Sequence, residues 1–286
     1  MRVLLTGANG QLGKCFQDRL PKGWLILKTD TKTLDITDRL AVLTVVDSFK
    51  PDVIVNAAAY TAVDKAEKDS QIAALVNELG PKNLAEAALA INAKFIHIST
   101  DYVFDGKSST PYKEDDDTSP LGVYGMTKLN GEQSVLSVND SAIVIRTAWV
   151  FSEYGNNFVK TMLKLGIERQ SLSIVSDQRG CPTYAGDIAN TILQLIQYEN
   201  VEGGIYHYCG DKEVSWFEFA NKIFEQAKKL GYSGDPKING ITTKEYPTLA
   251  IRPSYSVLDC QKIKQYNNIS LSDWQVALVN ICSKLF

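Results

Sequence analysis

Five short apolar runs pace the first half of the chain: VLLT (3–6), WLILKT (24–29), DVIVNAAA (52–59), KFIHIST (94–100) and SAIVIRTAWV (141–150). Between them lie stretches with helical spacing. QLGKCFQDRL (11–20) sets Leu12, Phe16 and Leu20 on one face, and RLAVLTVVDSF (39–49) reads the same way. SQIAALVNELG and PKNLAEAALAI form one long helix, disturbed near Gly80–Pro81, and residues 124–138 form another. A strand apolar at every position is covered on both faces, and strands that alternate with helices pair in parallel. The pattern predicts an α/β fold, a doubly wound parallel sheet of the Rossmann type. After residue 150 the rhythm loosens. Gly155, Gly166, Gly180, Pro182 and Gly186 mark turns, 217–231 is an amphipathic helix, and 242–259 has no period. The expected organisation is a sheet domain over 1–150, with later segments returning to it, and a smaller domain over 151–286 that caps the sheet's C-terminal edge.

Composition removes several function classes. Net charge is -3, with no basic stretch for nucleic acid to neutralise. No apolar run approaches the roughly 18 residues that span a bilayer. MRVLLTGANG is interrupted too early by glycine and asparagine for a signal peptide. The five cysteines are odd in number, widely spaced and without a C-x-x-C, which fits reduced thiols in the cytoplasm. His97 and His207 sit in apolar runs and read as packed strand residues. Nothing has the spacing of a metal site, so no metal ligand is assigned.

VLLTGANGQLG places Gly7, Gly10 and Gly13 between the first strand and the first helix. Glycines there permit a tight turn and close approach of the backbone to a pyrophosphate, which the helix N-terminus favours. Strand, loop and helix in that order is the context dinucleotide binding requires. Gln11 and Leu12 complete the loop. The second strand ends at Asp30, about twenty residues on, where a carboxylate can accept from an adenosine ribose. That favours NADH, whereas Lys32 close by suits the 2′-phosphate of NADPH. Asp35 and Ile36 lie on the next loop, near an adenine.

YGMTK (124–128) opens the helix before the fifth strand. Residues i and i+4 share a helix face, so Tyr124 and Lys128 address the same space. A tyrosine of ordinary pKa near 10 is a slow acid at neutrality, and a nearby ammonium lowers that pKa. The expectation is a general acid with its tuner beside it.

GQLG, KPDVIVNAAAYTAVDKAE, ISTDYVFDG, YGMTKLNGE, IRTAWVF, GNNFVKTML, DQRGCPT, YPTLAIRP and DWQ follow one another along nearly the whole chain. In that order they resemble the extended short-chain dehydrogenase/reductases, and within them the dTDP-4-dehydrorhamnose reductase family. The resemblance implies reduction by NADPH or NADH of the C4 keto group of a dTDP-linked 4-keto-6-deoxy sugar, giving dTDP-L-rhamnose. It implies Thr100, Tyr124 and Lys128 as catalytic residues, and Ala59, Tyr60 and Thr61 beside the cofactor. Asp101 and Trp149 would touch the sugar, or else serve as a helix cap and a core residue. Arg252 suits the diphosphate, or else a surface ion pair. Epimerases and 4,6-dehydratases share the glycine loop, but a dehydratase carries a carboxylate pair beside its threonine, and Thr100 has no adjacent glutamate. A non-catalytic regulatory subunit of methionine adenosyltransferase is also similar, and the intact Thr100, Tyr124 and Lys128 set argues against that reading. Some reductases of this kind dimerise through magnesium held by carboxylates. Cys15 stands where the first helix would offer one, so magnesium is not assigned and a monomer or weak homodimer is expected.

Overall fold

The computed structural model describes residues 1–285. A six-stranded sheet forms its centre. The strands are β1 (Arg2–Thr6), β2 (Leu25–Lys28), β3 (Val53–Asn56), β4 (Lys94–Thr100), β5 (Ile143–Thr147) and a sixth, Gly204–His207. Their spatial order is Gly204–His207, β5, β4, β3, β1, β2, and every pairing is parallel. The doubly wound α/β expectation therefore holds. Val3, Leu4, Leu5, Ile54, Val55 and Val144 have no exposed surface, as sandwiching between two helical layers requires. β2 lies at the edge, and its LILK is correspondingly half-exposed.

The helix α1 (Gln11–Asp18) follows β1, and α2 (Arg39–Phe49) follows β2 with Asp38 capping two of its first amides. After residue 184 the chain returns. The helix Ala185–Gln197 packs beside α1, and its continuation adds the sixth strand against β5. The remaining segments form a smaller lobe. It holds the parallel pair Ser171–Val175 and Lys237–Ile241, the helix Trp216–Lys229 with its Ser215–Glu218 capping box, and the helix Trp274–Leu285.

Two local expectations shift. The break expected near Gly80–Pro81 is a π turn over Leu75–Leu79, immediately before the glycine. The strand expected over 141–150 ends at Thr147. Trp149 adopts a left-handed φ of 47°, which turns the chain out of the sheet before Val150–Phe151 pairs with Thr183–Tyr184.

The helix Val123–Val138 is pressed closely onto its neighbours. A Cβ on Gly125 would stand 2.2 Å from the Tyr102 carbonyl oxygen, and one on Gly131 would stand 2.0 Å from that of Asn77 in the π turn. Deeper in, Glu132 meets Arg146 of β5 in a bidentate pair at 2.7–3.1 Å, with both side chains at most 2% exposed. Ser99 of β4 donates to the same carboxylate. Removing one partner of a buried pair strands the other charge, so Glu132→Ala should lower the unfolding free energy by about 3–5 kcal/mol. The denaturant midpoint of the variant measures this.

Candidate active site

The C-terminal ends of β1, β3, β4 and β5 open on a cleft of about 800 Å³. Asp30, Lys32, Asp35 and Ile36 line it beyond β2. Gly7, Gly10, Gln11 and Leu12 line it beyond β1, and Ala59 and Thr61 beyond β3. Thr100, Asp101, Tyr124, Lys128 and Trp149 line it beyond β4 and β5. Across the sheet edge these segments run in the order β2, β1, β3, β4, β5, which is sequence order except that β2 lies outside β1.

The glycine loop suits a diphosphate. Gly7 has φ +67°, and a Cβ there would lie 2.5 Å from the Ala57 carbonyl, so the loop and the start of the Ala57–Ala59 segment touch backbone to backbone. Gly10 is the N-cap of α1 and provides no side-chain cap. The first-turn amides are therefore available to an anion, aided by the helix dipole. Gly13 stands behind the loop. Its Cβ would fall 2.3 Å from the Gly7 oxygen, so it allows the loop to lie against the helix and does not line the cleft.

At the Asp30 end, one carboxylate oxygen accepts from the Lys32 and Thr33 amides and the Thr33 hydroxyl at 3.0–3.1 Å. The other accepts from Asn9 at 2.6 Å. These donors hold the carboxyl below its usual pKa, the Lys32 amide contributing most. Lys32 makes no ion pair among the described residues and also lines the cleft.

At the other end, the Thr100 hydroxyl accepts from the Tyr102 amide at 3.2 Å and donates to Asp101 at 3.0 Å. Tyr124 stands at the helix start, where Glu67 accepts from the Val123 amide at 2.9 Å. Lys128, 1% exposed, directs Nζ at the Ile98 carbonyl oxygen, 2.6 Å away, and lies 3.4 Å from His97 Nε2. The pairing on one helix face is as expected, but its electrostatics differ. Burial pushes the Tyr124 phenol up to about 12, against a lowering contribution from Thr100. The same burial brings Lys128 down to about 8. Burial is the largest cause of both shifts, and neither group's shift draws on the other.

Asp101 is 1% exposed, and burial raises its pKa to about 6 although Ser256 and Thr100 pull it down. Its Oδ2 and the Thr147 hydroxyl have no hydrogen-bond partner among the described residues, and both residues line the cleft. Buried polar atoms without partners fit a polar ligand.

Trp149 stacks on Trp216, with ring centroids 3.5 Å apart and planes 6° from parallel. Trp216 lines the cleft and was not singled out from sequence. The S-x-x-E of its capping box marks a helix start, but nothing in that pattern places the indole against Trp149. Two expected residues point elsewhere. The Tyr60 hydroxyl donates to Asp69 at 2.7 Å, outside the cleft lining. Arg252 pairs with Asp64 at 2.6 Å, beside rather than in the lining, and holds that carboxyl below its usual range. Asn77 was also missed. It clamps the Tyr60 amide and carbonyl at 2.8 and 3.1 Å and reaches Thr127 at 3.1 Å, so the π turn that presents it fixes the wall of the cleft. Among the described residues no three or more His, Cys, Asp or Glu are grouped to hold a metal ion.

Gly7→Ala forces a side chain into both a left-handed φ and the Ala57 backbone. It should cost more than about 1 kcal/mol of stability and weaken dinucleotide binding at least about tenfold. Thermal melts and titration of NADPH fluorescence measure the two effects.

The model of the family described as the RmlD substrate binding domain matches residues 1–286. A dTDP-4-dehydrorhamnose reductase of Aggregatibacter actinomycetemcomitans is 49% identical, the match covering 98% of each chain. The enzyme of that name from Escherichia coli is 40% identical over 100% of this chain and 98% of its own. Among solved structures, a dTDP-4-dehydrorhamnose reductase from Clostridium acetobutylicum superimposes with a TM-score of 0.94 at 41% identity, covering 100% of this chain and 99% of that one. The one from Bacillus anthracis, solved in complex with NADP, gives 0.92 at 39% identity, covering 98% of both. With a family match along its full length and relatives of that closeness, the chain belongs to the dTDP-4-dehydrorhamnose reductase family.

Proposed function

We propose that the protein reduces the C4 keto group of dTDP-4-dehydro-6-deoxy-L-mannose (dTDP-4-dehydro-β-L-rhamnose) to dTDP-L-rhamnose with NADPH or NADH, the last step in making that activated sugar. One observation carries the reading. Thr100, Tyr124 and Lys128 meet at one end of a cleft whose other parts are a glycine loop and an Asp30/Lys32 pair. Bound in that cleft, the cofactor supplies the hydride.

The chain's own groups supply position and a proton. The Thr100 hydroxyl, beside the Tyr124 phenol, fixes the substrate carbonyl oxygen between the two. Tyr124 gives its proton to that oxygen as it turns from carbonyl to alkoxide. A phenol near pKa 12 still does so, because an alkoxide is a far stronger base than a phenolate. Lys128 faces the same space with donors for cofactor hydroxyls. Asp101, whose Oδ2 lacks a partner, serves a sugar hydroxyl. Trp149, backed by Trp216, offers an apolar face to the 6-deoxy carbon. Gly7, Gly10, Gln11 and Leu12 would hold the diphosphate, with Ala59, Thr61, Asp30, Asp35 and Ile36 about the nucleosides. Gly13 and Tyr60 would support that pocket from behind, and Arg252 would serve a substrate phosphate only on leaving Asp64.

In this reading residues 1–150 with the returning 185–207 segment bind the dinucleotide, and the rest of 151–286 shapes the sugar site. The five free, buried cysteines support a reducing, cytoplasmic setting. No helix among the described residues is long and apolar enough to cross a membrane. The first helix offers Cys15 in place of a bridging carboxylate, which supports a monomer or weak homodimer without a metal bridge there.

Tyr124→Phe should reduce kcat by about 10²–10⁴-fold with little change in KM, read from the fall in reduced-nicotinamide absorbance with the keto sugar. A variant retaining full turnover would refute the assignment of the acid. Asp30 already has its lone pairs engaged, while Lys32 makes no ion pair among the described residues. Lys32→Ala should therefore raise KM for NADPH several-fold and leave that for NADH within about twofold, comparable to loss of one exposed charge contact.

A further inference from the structure

A second polar chain runs beneath the cleft floor. Asn56 ends β3, His97 lies directly opposite it on β4, and Lys128 reaches His97 from the helix Val123–Val138. All three are at most 1% exposed. Asn56 Nδ2 is 3.0 Å from His97 Nδ1, and His97 Nε2 is 3.4 Å from Lys128 Nζ.

The direction of these hydrogen bonds follows from a backbone donor. The Ala58 amide donates to Asn56 Oδ1 at 3.1 Å, and the Thr6 hydroxyl adds a second bond at 2.6 Å. A side-chain amide turned the other way would set its NH₂ against the Ala58 N–H. Oδ1 therefore stays where it is, and Nδ2 donates to His97. Nδ1 must accept, so it bears no proton. Burial keeps the ring uncharged. A neutral imidazole with a bare Nδ1 carries its proton on Nε2, and that N–H faces the lysine.

Among the described residues Lys128 consequently has the Ile98 carbonyl oxygen as its acceptor, and a donor where a second acceptor would serve it. An N–H directed at an ammonium opposes its charge, whereas directed at a neutral amine it meets the lone pair. Tyr124 and Glu132 lie on the helix of Lys128, and Asp101 lines the same cleft. Glu132 favours the ammonium, but Arg146 and Ser99 already hold that carboxylate.

We propose that His97 is a positioning residue of the reductase: locked by Asn56 as the Nε2–H tautomer, it donates to Lys128 Nζ whenever that nitrogen is neutral, and so makes Lys128 a readily discharged proton donor on the Tyr124 face. After Tyr124 has protonated the substrate oxygen, a proton leaves Nζ for the phenolate. An N–H bond breaks, an O–H bond forms, and the ammonium becomes an amine whose lone pair accepts from His97. The amine then takes a proton from solvent. The raised phenol and lowered ammonium pKa values make that transfer downhill.

The inference rests on the reductase reading for its role in turnover, and its first test needs no turnover. The chain has two histidines, so long-range proton–nitrogen NMR on protein labelled with ¹⁵N-histidine resolves both rings. His97 should show a bare Nδ1 and a protonated Nε2 from about pH 6 to 9, well above its depressed titration. A proton on Nδ1, or an imidazolium in that range, would overturn the proposal. Asn56→Asp keeps Oδ1 and exchanges the donor nitrogen for an acceptor oxygen, with a carboxylate charge added, so the neutral His97→Phe is read beside it. Asn56→Asp should reverse the tautomer and move the alkaline fall of kcat up by about half a pH unit or more. His97→Phe removes the donor without adding charge and should move the limb the same way, which separates loss of the donor from the carboxylate's own effect. A folded variant whose alkaline limb stays in place counts against the proposal. Absence of turnover by the unmodified protein, with the NMR result as expected, would sink the reductase reading and leave the tautomer lock standing.

Discussion

The Glu132 carboxylate is the fixed point of this molecule. It sits one turn beyond Lys128 and receives Arg146 from β5 and Ser99 from β4. Ser99 immediately precedes Thr100, so a single buried anion sets the height of the helix that carries Tyr124 and Lys128 and the position of the strand that carries Thr100. An ion pair so deep is costly to desolvate, and its net stabilisation against an apolar replacement is small or negative. What it provides is register. A helix held only by apolar contact could slide by a fraction of a turn, whereas the planar guanidinium–carboxylate pairing has one good geometry. Gly125 and Gly131 act in the same direction, by letting backbone meet backbone at van der Waals distance.

That close packing determines the electrostatics of the site. Removing water raises the phenol and Asp101 and lowers the lysine and His97, in each case disfavouring the charged form. The cleft floor is thus a row of polar groups whose charged forms burial disfavours. Donors fixed in place by the fold need not reorganise when charge moves, which is how they act on a developing alkoxide. The Trp149–Trp216 stack encloses the same end from the smaller lobe, and Trp149 holds a left-handed backbone to do so. A non-glycine residue in that region costs about 1–2 kcal/mol, which the stack and the tight Gly180 contact offset.

Much of the fold was legible because its signals are local. Each of the first five strands lies in a short, largely apolar run, and each intervening helix shows its own period. The glycine loop and the Tyr124–Lys128 spacing likewise depend on residues close in sequence. The parts that were not legible are long-range. Nothing near residue 204 says that its strand joins β5. Trp216 reaches the cleft only because Trp149 turns out of the sheet, and Asn77 braces the wall only because a π turn presents it to Tyr60 and Thr127. Tyr60 and Arg252 were placed near ligands on resemblance, and in the structure they face Asp69 and Asp64.

The sequence by itself determined the alternation of strand and helix, the parallel sheet, the phosphate loop and the face shared by Tyr124 and Lys128. Periodicity, turn chemistry and helix geometry act over a few residues, so they can be read along the chain. Only the tertiary structure decided the protonation preferences of that face. Those depend on how much water remains and on which way buried donors point, here the Ala58 amide that orients Asn56 and, through it, His97. Both are properties of neighbours brought together from β1, β3, β4 and the helix after β4, and no single segment contains them.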